Sequence, residues 1–194
     1  MKHPKEERTF LMVKADGVQK GLIGEVIKRI EQRDLKIVAI EMFQATREQA
    51  NDHYPKDKEW IEKVGGKTLS TYEKYGHDSI KEVGTADPLE IGNKVRGWLL
   101  DYLTEAPMVR MVVQGVHAID MVRKIVGDTL PYKAEMGTIR GDFSVDSPSL
   151  ANKEQRAVMN IVHASSTTEE AEHEISFWFK DRSIFDYKRF GVDK

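Results

Sequence analysis

The apolar pattern changes period twice between residues 9 and 44, and this change most restricts the folds open to the chain. The run 9-TFLMVK-14 reads as a short buried strand, ended by the turn-like triplet 15-ADG-17. In 21-GLIGEVIKRIEQRD-34 the residues Leu22, Ile23, Val26, Ile27 and Ile30 recur at helical spacing with charges opposite, which predicts an amphipathic helix. The segment 35-LKIVAIEMFQ-44, rich in Ile, Val and Phe, predicts a second strand. Strand, helix and strand in this order require a sheet with a helix packed on it.

The rest of the chain extends that unit. Thr46 and Gln49 fit a capping box that opens a short helix over 46–54. From Pro55 to about Gly92 the pattern weakens, with glycines at 65, 66, 76, 84 and 92 and short candidate helices at 57–63 and 67–74. This stretch has too few apolar residues for a core of its own and reads as an insertion on the domain. Then follow a helix over 93–105, a valine-rich strand over 107–115, and a helix over 117–127 with Gly127 as its C-cap. A long loop is expected over 128–143, a second insertion over 144–157, strand 158-VMNIVH-163, helix 167-TTEEAEHEISFWF-179, and a tail holding Phe185, Tyr187 and Phe190. The expected fold is α+β: a ferredoxin-like antiparallel sheet covered by helices, forming one domain over 1–194 with insertions at about 55–92 and 144–157.

Composition narrows the chemistry. With 40% hydrophobic and 32% charged residues the chain is expected to be globular rather than disordered. A formal net charge of -2 and the lack of a basic stripe argue against a nucleic-acid partner. There is no cysteine, which excludes disulfides, thiolate metal sites and cysteine nucleophiles. The leader MKHPKEERTF has no apolar h-region, and no run approaches the roughly 18 apolar residues of a membrane span, so a cytoplasmic location without membrane contact is expected.

Among the motifs, 65-GGKT-68 resembles the end of a P-loop, but that pattern needs a glycine at position 61, which is isoleucine. No clear apolar strand feeds it, and a solvated turn is expected. Of six histidines, His3, His77, His117 and His173 are expected to be exposed; His53 lies beside Tyr54, and no spacing among them fits a metal site.

His163 differs, because it ends a strand and is followed by 164-ASST-167, which turns into a helix whose free N–H groups favour anions. Glu174 follows eleven residues later, roughly three helical turns at about 100° per residue, which can return its carboxylate to the histidine. Such a carboxylate fixes the tautomer and leaves the other ring nitrogen as a nucleophile. Glu169, Glu170 and Glu172 are assigned to capping and solvent. On the residues alone, a strand-end histidine and a catalytic one both remain open. A phosphate site would need cations, and Lys14 after the first strand, Arg123 and Arg140 are candidates.

Together the strings 7-ERTFLMVKADGVQKGLIGEVIKRIE-31, 52-DHY-54, 122-VRKIVGDTLP-131, 137-GTIRGDF-143, 160-NIVHAS-165 and 170-EAEHEISFWF-179 resemble the nucleoside diphosphate kinase family, in the family's order. The resemblance implies an enzyme that moves the γ-phosphate of a nucleoside triphosphate to a diphosphate through a phosphohistidine on His163. Glu174 and Ser165 would orient that ring. Lys14 would lie near the transferred group, and Tyr54 would help position the cluster. Arg123, Thr129 and Arg140 would contact phosphates, and Asn160 the ribose. Mg²⁺ would arrive with the nucleotide, and the partners implied are nucleotides and further copies of the chain, as a dimer-based tetramer or hexamer. A catalytically silent nucleotide-binding or scaffold homologue is the alternative reading.

Three departures from the family's pattern stand out. Ala15 replaces the usual proline and Ser166 the usual aspartate. Alignment back from 98-WLLDYL-103 places Val95 where a base-stacking phenylalanine is usual, with Leu99 at the neighbouring apolar position. Trp60, Tyr72 or Tyr75 could supply the missing ring.

Overall fold

The computed structural model describes residues 6–189. Its sheet has four strands, β1 (Glu6–Val13), β2 (Lys36–Phe43), β3 (Met108–Val116) and β4 (Val162–Ala164), in the order β2-β3-β1-β4. Every neighbouring pair is antiparallel, with Phe10 opposite Val112 and Met12 opposite His163. This is the α+β, ferredoxin-like arrangement that the sequence predicts.

Helices cover both faces, which explains why β1 reads as an unbroken apolar run rather than an alternating one. Successive strand residues point to opposite faces. Leu11 and Val13 join one core with Val109, Met111 and Val113, covered by α2 (Ile23–Gln32) and α7 (Ala118–Val126). Phe10 and Met12 join the other with Val112, Leu100, Leu103 and Trp178, covered by α3 (Arg47–His53), α6 (Pro88–Thr104) and α10 (Thr168–Trp178). The capping box of Thr46 and Gln49 is present at the start of α3.

Several elements differ from the sequence expectation. The 15-ADG-17 turn is the start of a short helix, α1 (Ala15–Gln19). The two short helices expected around 57–63 and 67–74 are one continuous helix, α4 (Lys58–Lys74), followed by α5 (Ser79–Val83); the α6 helix begins at Pro88 rather than 93. The 65-GGKT-68 tetrapeptide therefore lies inside a helix and is neither P-loop nor turn. Its first glycine sits where a Cβ would come within 1.8 Å of the Pro88 carbonyl oxygen, and Gly92 on α6 faces the Ile61 carbonyl in the same way. Absence of a side chain at these two positions lets α4 and α6 cross backbone to backbone.

The expected long loop over 128–143 contains a 3₁₀ turn at Pro131–Lys133 and a short helix, α8 (Ile139–Phe143), capped by Thr138. A further helix, α9 (Pro148–Lys153), lies within 144–157. It packs on α4, where the Tyr72 hydroxyl donates to the Asn152 carbonyl at 3.0 Å, and just beyond it Gln155 Nε2 donates to the Glu82 carbonyl of α5 at 2.7 Å. The segments expected to be separate insertions thus touch one another. Tyr72, Val83 and Ile91 form a small buried cluster there.

The strand expected over 158–163 shrinks to three residues, because Ile161 adopts φ +68° and breaks the extended run. His77 and His117 are half-buried rather than exposed, while His173 is exposed; His3 and Phe190 lie outside the described residues. The tail runs beside β2, with the Phe185 N–H donating to the Val38 carbonyl at 2.8 Å.

Candidate active site

His163 stands on β4 opposite Met12, so its side chain shares the sheet face of Phe10 and Met12. Helix α10 returns across that face and brings Glu174 to the ring: His163 Nε2 and Glu174 Oε1 are 2.6 Å apart. The other carboxylate oxygen accepts from the Ser165 hydroxyl, also at 2.6 Å. Ser165 and Glu174 are buried, whereas the His163 side chain keeps 21% of its surface exposed. A carboxylate only accepts, so the Nε2 nitrogen of the neutral ring carries the proton and Nδ1 keeps its lone pair. The eleven-residue spacing delivers the contact that helix geometry suggests. At the start of α10 the N-cap Thr167 Oγ1 accepts from the Glu170 N–H, and Glu170 in turn accepts from both the N–H and the hydroxyl of Ser166, just before the helix.

His53 is a member of this cluster that sequence reasoning did not find. Its ring lies 5.3 Å from that of His163, nearly perpendicular at 88°. Burial, reinforced by the neighbouring His163 and opposed by Glu174, lowers its pKa to about 3. It is therefore neutral, and its Nδ1 accepts a long hydrogen bond from the Trp178 indole at 3.4 Å. Next to it, Tyr54 is half-buried, and burial with the Glu174 charge holds its hydroxyl well above the usual tyrosine pKa.

The cations gather at the entry to β4. Lys14 Nζ donates to Asn160 Oδ1 at 2.9 Å, and Asn160 Nδ2 donates to the Thr129 carbonyl at 3.0 Å. Burial and the nearby Arg140 lower the Lys14 pKa to about 8, with Asp16 opposing. Arg140 is buried and spends three donors on backbone carbonyls: Nε on Asn160 at 3.2 Å, one terminal nitrogen on Gly127 at 2.8 Å and the other on Val162 at 2.7 Å. It clamps the chain on both sides of Ile161, and burial with the neighbouring Arg123 lowers its pKa to about 10. Arg123 is half-buried and makes no side-chain hydrogen bond or ion pair among the described residues, and Thr129 is exposed.

Beneath this group Asp16 organises the backbone. Its Oδ2 accepts from the Ile161 N–H at 2.9 Å and its Oδ1 from the Tyr102 hydroxyl at 2.5 Å. A left-handed conformation is a costly outlier for a β-branched residue. Here Asp16 and Arg140 hold it from two sides. Gly17 makes the approach of α1 possible, because a Cβ there would lie 2.7 Å from the Ile161 carbonyl oxygen. The sequence signal for Asp16 was its place in a short turn-like triplet after β1; nothing in the sequence pointed to Tyr102.

Val95 is half-buried on α6 and packs against the cluster of Tyr72, Val83 and Ile91. Tyr72 is buried and tied to α9, Trp60 is half-buried, and Tyr75 is exposed.

The nucleoside diphosphate kinase family profile matches residues 7–63 and 93–184. The chain belongs to the nucleoside diphosphate kinase family. A nucleoside diphosphate kinase of Pyrobaculum aerophilum is 46% identical over 180 residues, 93% of this chain and 98% of that one. One of Archaeoglobus fulgidus is 40% identical over 187 residues, 96% and 95% of the two chains. The crystal structure of an NDP kinase from Pyrobaculum aerophilum superposes with a TM-score of 0.88 at 44% identity, covering 93% of this chain and 100% of that one. A Borrelia burgdorferi nucleoside diphosphate kinase, solved as a transition-state mimic with vanadate and ADP, gives a TM-score of 0.74 at 34% identity, covering 95% and 94%. Among the described residues no helix is long and apolar enough to cross a membrane.

Proposed function

We propose that this nucleoside diphosphate kinase works through His163 Nδ1. The lone pair attacks the γ-phosphorus of a nucleoside triphosphate, an N–P bond forms, the β–γ bridging P–O bond breaks, and the diphosphate leaves with the electron pair. The reverse half-reaction transfers the group to a second diphosphate. The observation that carries this reading is the 2.6 Å contact between His163 Nε2 and Glu174 Oε1, which leaves Nδ1 as the nucleophile. As the ring becomes cationic on phosphorylation, the buried carboxylate stabilises it, and no proton has to leave Nε2.

Phosphoryl transfer needs alignment and positive charge around the equatorial oxygens more than covalent help from the protein. Lys14 and Arg123 are the cations with donors to spare, and Mg²⁺ enters as part of the nucleotide complex. Arg140, with two of its five N–H donors unspent, acts first as a clamp on the 160–162 backbone and second as a phosphate contact. Asn160, held between Lys14 and the Thr129 carbonyl, faces the sugar; Thr129 assists at the phosphates and Tyr54 positions the cluster. Val95, half-buried on α6 against the Tyr72 cluster, is kept as the base platform on the strength of the family pattern. The chain is read as one cytoplasmic domain that assembles as a homo-oligomer, with the stretch left out of the family match, 64–92, as the heart of an insertion.

The test is a labelling experiment. The protein is incubated with γ-labelled ATP and Mg²⁺, nucleotide is removed, and an acid-labile phosphoenzyme is sought that a nucleoside diphosphate discharges. Equal labelling of wild type and His163→Ala would sink the reading. Varying the acceptor in the discharge step reports base preference.

A further inference from the structure

We propose that the nucleotide-free site holds a second ligand chemistry: a borderline-soft divalent cation of the Zn²⁺ class bound by His53, His163 and Glu174. One ring nitrogen of each histidine and one Glu174 oxygen lie within 4.8 Å of one another. Two imidazoles and a carboxylate are the donor set of open zinc sites, with water filling the fourth position. That set does not suit Mg²⁺, which asks for six oxygen ligands.

Both contacts to Glu174 lie within about 0.7 Å of the separation a tetrahedral site needs. Tetrahedral ligands about 2.0 Å from a metal are about 3.3 Å apart. The His163 Nε2 to Glu174 Oε1 distance would open from 2.6 Å, and the His53 Nδ1 to Glu174 Oε1 distance would close from 3.9 Å. The lone pair of His53 Nδ1 is committed only to the long indole bond from Trp178 at 3.4 Å. Ser165 keeps its bond to the second carboxylate oxygen, so the carboxylate stays oriented while the first oxygen turns to the cation.

The proton balance carries the consequence, which rests on the phosphohistidine reading. In the metal-free ring the proton sits on Nε2. When Nε2 binds the cation, the neutral ring must carry that proton on Nδ1, reached through solvent with no net release. His53 keeps its Nε2 proton throughout. A protonated Nδ1 has no lone pair for phosphorus, so the bound cation silences the enzyme by switching the tautomer of His163. The site and the active state exclude each other.

Co²⁺ and Zn²⁺ added to the full-length, nucleotide-free protein are the probes. Co²⁺ should develop the visible absorption of a four-coordinate site, and Zn²⁺ should displace it. His53→Gln should weaken Zn²⁺ binding by more than about tenfold, the range that loss of even an outer-shell partner produces. Long-range ¹H–¹⁵N spectra of wild type, which need no variant, should show the His163 proton moving from Nε2 to Nδ1 on Zn²⁺ addition. Equal Zn²⁺ affinity in wild type and a folded His53→Gln, or unmoved His53 and His163 nitrogens, overturns the site. Zn²⁺ should also block labelling from Mg·ATP in wild type; unimpaired labelling at saturating Zn²⁺ overturns the silencing. Absence of labelling from Mg·ATP in wild type without added Zn²⁺ would instead mark failure of the phosphohistidine reading itself.

Discussion

Asp16 holds Ile161 in a left-handed backbone conformation through a 2.9 Å hydrogen bond from the Ile161 N–H, and the segment that departs from this kink carries His163. The same carboxylate accepts from Tyr102, and all three residues are buried. Asp16→Ala would leave two buried donors without partners, each costing about 1–3 kcal/mol. The expected loss is about 2–6 kcal/mol by denaturant unfolding, with a slower phosphoenzyme burst, because Asn160 and His163 flank the kink. A stable Asp16→Ala protein with an unchanged burst would show that Arg140 alone maintains the backbone.

Lys14 has its pKa lowered to about 8 chiefly by burial, so the fold disfavours its charged form. The unfolded chain keeps this proton up to about 10.5, the ordinary lysine value. Between those pH values the unfolded state binds more protons, and stability therefore rises with pH across the window. Below about pH 8 the penalty is fully present, of order 3 kcal/mol at ~1.4 kcal/mol per pH unit. Lys14→Met removes it. Urea unfolding at pH 7 and pH 10 should show the stability of Lys14→Met relative to wild type falling as pH rises; a pH-independent difference would contradict the lowered pKa.

How far the sequence reveals this molecule depends on how local each determinant is. The strand β1 and helix α2 were legible because the apolar period alone defines them, and the pairing of His163 with Glu174 was legible because both lie on one strand-to-helix segment. The continuity of α4 was not. Gly65 and Gly66 look like a break, and the reason a helix tolerates Gly65 is its contact with Pro88, on another element. The late start of the strand expected over 158–163 was hidden for the same reason, since Asp16, which accepts from the Ile161 N–H just before it, is far away in the chain. His53 was passed over because Trp178, Glu174 and His163 reach it only through the fold.

The two adjacent glycines of α4 should respond with opposite signs. A methyl at Gly65 would collide with backbone atoms of α6, which cannot swing aside, so Gly65→Ala is expected to cost about 1–3 kcal/mol and to loosen the Tyr72 cluster. At Gly66 a Cβ meets nothing within 4 Å, so Gly66→Ala should stabilise by about 0.5–1 kcal/mol through helix propensity. Paired thermal melts check both; destabilisation of equal size at the two positions would mean that the helices do not cross as closely as described.

Glu174→Gln tests whether the carboxylate supplies charge or merely position. The amide oxygen can still accept from His163 Nε2 and can keep Nδ1 as the free nitrogen, so the ring stays aligned. On the proposed phosphohistidine mechanism, what is lost is the negative charge that meets the developing imidazolium as the phosphoryl group arrives. Rapid-quench measurement of phosphoenzyme formation should slow by about 10–100-fold, the range found when the carboxylate partner of a metal-ligating histidine is altered. Nucleotide affinity should hold, because Lys14, Arg123 and Arg140, the proposed phosphate contacts, are untouched. Ser165→Ala, which removes one hydrogen bond and no charge, should slow the same step far less. Equal slowing in the two variants would assign Glu174 a positioning role alone.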